Sequence, residues 1–294
     1  MSDINLDMFI QLTIIGLAMG TIYALMSMGL VLLIRSIGVL NFAQGDLFMV
    51  GAFITWGLTY QMHLPIWGVW IGMLIIFAVF AAMFMFTVYW PLRTSSWPQA
   101  IIICTIGASF VISEGVTLIW TPIPRPMAPI IPGNFSIGET TLAIQYIVTL
   151  GVAVVLIASV FLLFDKLYAG RVMEAAAQNK YVAEILGIPT ILTTLATYII
   201  VMIIAGTGGY LVAPIFFRSV RLSTFQLRAF AGVIIGGFGN LKGAVVGSII
   251  IGLVESYGIV VTTTYSDALV FLVLLIMLIV RPQGIFGEKI SDKA

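Results

Sequence analysis

The sequence predicts an all-α polytopic membrane protein, a bundle of about eight or nine transmembrane helices joined by mostly short loops. Three observations predict it. Of 294 residues, 61% are hydrophobic and 9% charged, against roughly 45–50% and 25% in an average soluble domain. Thirteen Lys/Arg and twelve Asp/Glu cannot cover a soluble surface of this size, and the mean hydropathy is +1.16. Apolar runs then recur along the chain at lengths that suit a bilayer core, which takes roughly 20 helical residues. A formal net charge of +1 with no Lys/Arg patch excludes a nucleic-acid partner. The single cysteine, Cys104, excludes an intramolecular disulfide and a Cys-based metal cluster. Residues 1–7 hold two aspartates and no Lys or Arg, so no cleaved signal peptide is expected.

In chain order the first span is expected over 8–34, which contains no charge, and the second over 40–58, with Asp46 near its start. Spans at 66–89 and 99–120 follow. Residues 121–140 hold Pro122, Pro124, Pro126, Pro129, Pro132 and Gly133. Prolines at that density exclude a regular helix, so this is an extended external loop, either a lid or a rigid connector. A fifth span is expected over 142–164 and a sixth over 191–212, separated by the polar segment 165–190. Residues 229–238 are apolar but short, and either cross or re-enter; 243–261 and 268–280 complete the bundle. The chain 1–294 reads as one transmembrane domain with no soluble domain attached.

Loop charges orient it. Arg35, Arg93, the group Lys166, Arg171 and Lys180, and then Arg281, Lys289 and Lys293 share one side if the N-terminus lies opposite. The positive-inside rule makes that side cytoplasmic, with the N-terminus external and the C-terminus internal. Arg125, Arg218 and Arg221 run against the rule.

Strong helix formers fill residues 172–186, and Gly187 followed by Pro189 is a stop signal, so one short amphipathic cytoplasmic helix is expected. Its apolar stripe of Val172, Ala175, Ala176, Val182, Ala183 and Leu186 suits close docking to a partner protein better than a bed in lipid, where bulkier residues are usual.

Arg171, the Glu174-Ala175-Ala176 stretch and the Ala183-x-x-x-Gly187-Ile188 ending resemble the cytoplasmic coupling segment of ABC-importer permeases. Gly187 follows too late for the short Glu-Ala-Ala-x-x-x-Gly form, so the match lies in the longer Ala-rich helix. More narrowly, three stretches resemble the branched-chain amino acid permease family of the LivH/LivM type, and its LivH branch in particular. They are Asn41-Phe42-Ala43-Gln44-Gly45-Asp46, the glycine-rich run from Ala229 to Gly247, and Arg281-Pro282-Gln283-Gly284-Ile285-Phe286-Gly287. The resemblance covers essentially the whole chain in order. It implies an inner-membrane permease subunit of an ABC importer, paired with a second LivM-like permease, two cytoplasmic ATPases and an extracytoplasmic amino-acid-binding protein. Related permeases move urea, short amides or other amino acids, so the cargo is open within that range. An ion-coupled secondary transporter is the rival class.

The resemblance makes Arg171, Glu174, Ala176, Ala183 and Gly187 candidates for coupling to the ATPase. Gly236, Gly239, Gly243 and Gly247 recur at roughly four-residue spacing, which suits either close helix packing or an unwound hinge. Asp46, Glu114 and Glu255 sit in apolar sequence; each costs several kcal/mol if left unpaired in a bilayer and must face a partner or a path. With Asn41 and Gln44 they are the candidates for a weak translocation site. Asp46 has two further expected roles, pairing with Arg35 or capping a helix. No Walker A sequence, His-Glu-x-x-His or Gly-x-Ser-x-Gly occurs, and the sole histidine, His63, reads as a turn residue. No enzyme chemistry, resident metal or other cofactor is expected, and ATP hydrolysis is assigned to other subunits.

Overall fold

The computed structural model describes residues 6–93, 95, 97, 99–137, 140–261 and 266–287; Lys289 and Lys293 lie outside them. Helix α1 (Leu6–Ile37) ends where Gly38 adopts φ +73° and its N–H bonds Ile34 O, the left-handed stop that glycine tolerates best. Helix α2 (Gln44–Tyr60) leads to α3 (Ile66–Phe84), prolonged by a π turn (Met85–Tyr89) and a 3-10 turn (Trp90–Leu92) around Pro91. Helix α4 (Gln99–Trp120) is followed by the Pro-rich loop and an antiparallel ribbon of β1 (Asn134–Ile137) and β2 (Thr140–Ala143), which places Phe135 opposite Leu142. Then come α5 (Ile144–Asp165), α6 (Tyr168–Gln178), α7 (Lys180–Ile185) and α8 (Thr190–Phe216), with Pro214 in its last turn. A 3-10 turn (Val220–Thr224) opens α9 (Phe225–Gly236), and α10 (Leu241–Val261) and α11 (Ser266–Val280) close the bundle.

Among the described residues six helices are long and apolar enough to cross a bilayer: α1, α3 with its extension, α4, α5, α8 and α10. That corrects the expected eight or nine full spans. Helices α2, α9 and α11 have 17, 12 and 15 residues. Residues 38–43 spend part of the second hydrophobic run on a loop, in which Asn41 Oδ1 accepts from Ala43 N–H. Gly237 at φ +115° and Gly239 at φ +82° end α9 early. The continuous helix expected over 172–186 is also broken. Asn179 adopts an extended backbone, and its side chain caps α7 by accepting from Val182 N–H at 3.1 Å, a local bond that competes with helix continuation.

Helix α1 is the hub, packed against α5, α8, α9 and α10. Leu12 lies beside Ser256, Gly16 beside Leu253, Gly20 beside Gly252, and Ser27 bonds Ser248, so α10 runs antiparallel to it. Backbones meet directly at Gly20 and Gly252, and again where Gly236 of α9 meets Gly243 of α10 and Gly232 meets Gly247. Any side chain there would collide with main chain, the close approach that small residues permit in lipid.

Two ends of the bundle follow. At one, Arg35, Asp165, Asn240, Lys242 and Gln283 line a crevice of about 940 Å³. At the other, Tyr60 accepts from Ala128 N–H at 2.7 Å, and the backbone of Arg125 pairs with that of Arg218.

Candidate functional site: two helix starts inside the bundle

Helix α2 starts inside the bundle. Gln44, its first residue, packs against Gly29 of α1, roughly 12 Å short of the end of that helix at 1.5 Å per residue. Helix α9 starts against it. Gly45 N–H donates to Gln226 Oε1 at 2.6 Å, and the Gly45 backbone touches Ser223 O, an approach that requires glycine. Phe42 stacks toward Phe230 with ring centroids 6.4 Å apart. From α4, Thr105 Oγ1 accepts from Phe42 N–H at 3.2 Å, and the Ser109 hydroxyl donates to Asp46 Oδ2. The structure therefore brings Asn41, Gln44 and Asp46 together with Thr105, Ser109, Ser223 and Gln226.

Asn41 is 1% exposed and Gln44 0%, yet among the described residues Asn41 Nδ2 and both polar atoms of Gln44 have no hydrogen-bond partner. A buried polar group left unmade costs about 1–3 kcal/mol. Together these atoms offer two amide donors and a carbonyl acceptor, and the Asp46 carboxylate stands beside them. That inventory matches a small zwitterion: acceptors for an ammonium, donors for a carboxylate. Asp46 neither pairs with Arg35 nor caps α2, whose N-cap is Ala43 without a side-chain bond.

The other sequence candidates lie elsewhere. Glu255 belongs to a charged cluster of one arginine and two carboxylates: Arg228 Nε is 3.2 Å from its Oε1, Tyr23 donates to its Oε2 at 2.5 Å, and Arg228 Nη2 reaches Asp267 Oδ1 at 2.5 Å. Its carboxylate is engaged from two sides, the structural pairing that sequence also allowed. Glu114 lies on the exposed face of α4. On the coupling segment, Arg171 and Gly187 are exposed, the latter at φ +80° directly beyond Leu186, and Glu174 pairs with Arg35 of α1. Ala176 is 8% and Ala183 2% exposed. These alanines pack inward, so they are not the docking face that sequence suggested; Tyr168, Tyr181, Ile185 and Leu186 are exposed instead. Gly236, Gly243 and Gly247 form a packed seam, while Gly239 makes the turn to α10, where Asn240 Oδ1 accepts from Gly243 N–H at 3.0 Å.

Sequence reasoning missed Ser109, Gln226 and the role of Arg228. Their signal was faint: single polar residues in apolar runs, and a group of arginines at 218–228 that registers only as a breach of the charge rule. Among the described residues no cluster of three His, Cys, Asp or Glu could hold a metal ion.

Residues 12–278 match the family described as "Branched-chain amino acid transport system / permease component". The chain belongs to this family. Similar proteins include the high-affinity branched-chain amino acid transport system permease LivH of Salmonella typhimurium, 28% identical over 97% of each chain. BraD of Pseudomonas aeruginosa, a permease of a system of the same description, is 27% identical over 97% of this chain and 98% of its own. The solved structure described as PsaBC from Streptococcus pneumoniae in complex with Fab shares the fold, with a TM-score of 0.50 at 12% identity over 94% of this chain and 92% of that one. The chain is thus a multi-pass membrane permease subunit, a non-catalytic transport component.

Proposed function

We propose that this permease forms half of the translocation path of an ABC importer for branched-chain amino acids, and that the path passes the junction of α2 and α9. The carrying observation is Asn41 and Gln44, buried amides with three unpartnered polar atoms where two helices begin inside the bundle. Such broken elements are stable in a membrane only where protein or a cavity covers them, and transporters use them to bind cargo. Incomplete hydrogen bonding suits a transient site, because tight binding would hinder release.

The N-terminus is external and the C-terminus cytoplasmic, with α2, α9 and α11 as incomplete crossings among nine. Supporting this, Arg35, Lys242 and Gln283 line one crevice, and Arg171 of α6 lies toward the same end through the Arg35–Glu174 pair. One of the two cytoplasmic ATPases docks on the outer face of α6 and α7, at Tyr168, Arg171, Tyr181, Ile185 and Leu186, and Gly187 ends that surface. A second permease covers the exposed face of α4. Glu114 lies amid Phe110, Val111 and Leu118 there, and a carboxylate facing lipid costs several kcal/mol. An extracytoplasmic binding protein delivers cargo to the opposite end.

Reconstitution tests the reading. Leucine uptake into proteoliposomes is expected only with the second permease, both ATPases, the binding protein and ATP present. Uptake by this chain alone, driven by an ion gradient, would show a secondary transporter instead.

A further inference from the structure

Arg218 is fully buried, and no carboxylate among the described residues pairs with it. Its residue exposure is 0%. The guanidinium carbon lies 4.2 Å from the Trp56 ring centroid and 4.6 Å from that of Phe53. Nη2 donates to Trp120 O at 3.3 Å, while Nε and Nη1 have no partner among the described residues. Arg125 adds a second positive charge: its guanidinium stands over Trp56 at 5.4 Å, and its backbone N–H and C=O both pair with those of Arg218. Among the described residues neither arginine forms an ion pair. Burial, and then the charge of Arg125, lower the Arg218 pKa from its usual value.

The rings and one carbonyl offset only part of the cost of taking a guanidinium out of water. Two donors aimed at no acceptor make the site complementary to an anion. The backbone adds strain on both sides of the contact. Phe217, just before Arg218, has φ +61°, and Thr121, just after the accepting carbonyl of Trp120, has φ +67°. Left-handed non-glycine residues persist where the surroundings impose them, often at binding sites.

We propose that Arg218 is the station that receives the carboxylate of the incoming amino acid at the outer end of the path, a role that rests on the importer reading above. The aromatic rings hold the cation while no cargo is bound, and a shift of the loop or of α2 that uncovers Nε and Nη1 presents them to the cargo. Placement along α2 supports the assignment. Phe53 and Trp56 lie seven and ten residues beyond Asp46, roughly 10–15 Å along the helix. Helix α2 therefore holds the Arg218 guanidinium against the rings of its outer half and carries the Asp46 carboxylate near its inner end. An amino acid is too short to bridge them, so it engages the guanidinium first and the Asn41–Gln44–Asp46 group afterwards.

The test uses the complete importer in proteoliposomes. Arg218→Met keeps bulk and loses the charge; leucine moved per ATP hydrolysed is expected to fall roughly 10-fold or more, the value of one charged hydrogen bond, while the ATP turnover evoked by the loaded binding protein persists. Arg218→Lys should recover most of the loss. A merely structural role would lower transport and ATP turnover together, and an unchanged ratio in Arg218→Met overturns the proposal. Should that variant not assemble, labelling of the wild-type complex by phenylglyoxal decides. During turnover, leucine is expected to protect Arg218 and leucinamide, which lacks the carboxylate, is not. Equal labelling with both, or no labelling at any stage, overturns the proposal. Wild-type uptake that needs no ATPase would instead sink the importer reading itself.

Discussion

Helices α1 and α4 are both long and apolar, yet 89% of the most apolar 18-residue stretch of α1 is buried against 11% of that in α4. Hydropathy does not separate them, because lipid solvates leucine as well as a protein interior does. The surroundings of their small residues separate them: a Cβ added at Gly107 or Gly115 of α4 would meet nothing within 4 Å. Helix α1 carries Gly16, Gly20, Ser27 and Gly29 toward α8, α10 and the start of α2. Helix α4 presents Phe110, Val111, Leu118 and Ile119 outward and touches the site with two hydroxyls, Thr105 and Ser109.

The sharpest way to break the α1 seam is Gly252→Leu. The new side chain would meet the Gly20 backbone rather than a movable side-chain tip. The cost is expected at or above the roughly 3 kcal/mol upper end of overpacking, read as loss of the permease from the membrane fraction. Gly243→Leu should act the same way against Gly236. Wild-type abundance for both would remove the close-packing account of the seam.

The order and type of the spans were legible because twenty-residue apolar runs have one solution in a bilayer. The 99–120 span matches α4, Gln99–Trp120. The four-residue glycine rhythm was legible for the same local reason. What escaped depends on neighbours distant in sequence. Ala176 and Ala183 share a stripe with Val182 in the pattern, but α6 and α7 rotate independently about Asn179, so Val182 faces out while both alanines face in. Asn41, Gln44 and Asp46 could be picked out as polar residues in apolar surroundings. That Gln226, Ser223 and Ser109 complete the group could not, since they arrive from helices far along the chain.

The charged cluster sharpens the comparison, because it ties the seam to α11. Arg228→Met leaves Glu255 buried with Tyr23 alone, and breaking one side of such a pair costs about 3–5 kcal/mol. Detergent-solubilised protein should unfold at lower temperature, and Glu255→Gln combined with Arg228→Met should recover part of the loss. No recovery in the double variant would show that the two charges are not coupled. A step below this stands Ala176→Trp. Because Ala176 is buried on the face of α6 turned toward α1 and α8, where the adjoining cavity of about 170 Å³ is too small for a whole indole with its neighbours unmoved, the expected cost is about 1–3 kcal/mol of overpacking in the permease itself. Tyr181→Ala should spare stability and weaken ATPase co-purification, so the two faces of the coupling segment separate by assay.

The smallest effect on the chain is expected on α4. Val111 is 74% exposed, so Val111→Trp removes no internal contact and should change the stability of the isolated permease by less than about 0.5 kcal/mol. Lipid would accept the larger ring without penalty. A second permease packed on that face would not, since a rigid bicyclic side chain at a close helix contact forces the backbones apart. The expected result is therefore a split: normal abundance of this chain alone, and reduced recovery of the second permease when both are expressed and one is pulled down. Glu114→Gln provides the polar counterpart, keeping shape while removing a charge that lipid would reject and a partner would neutralise. If Val111→Trp retains the partner at the wild-type ratio, α4 faces lipid. Its low burial would then equal its burial in the assembled transporter, and Glu114 would have to reach the polar boundary by itself.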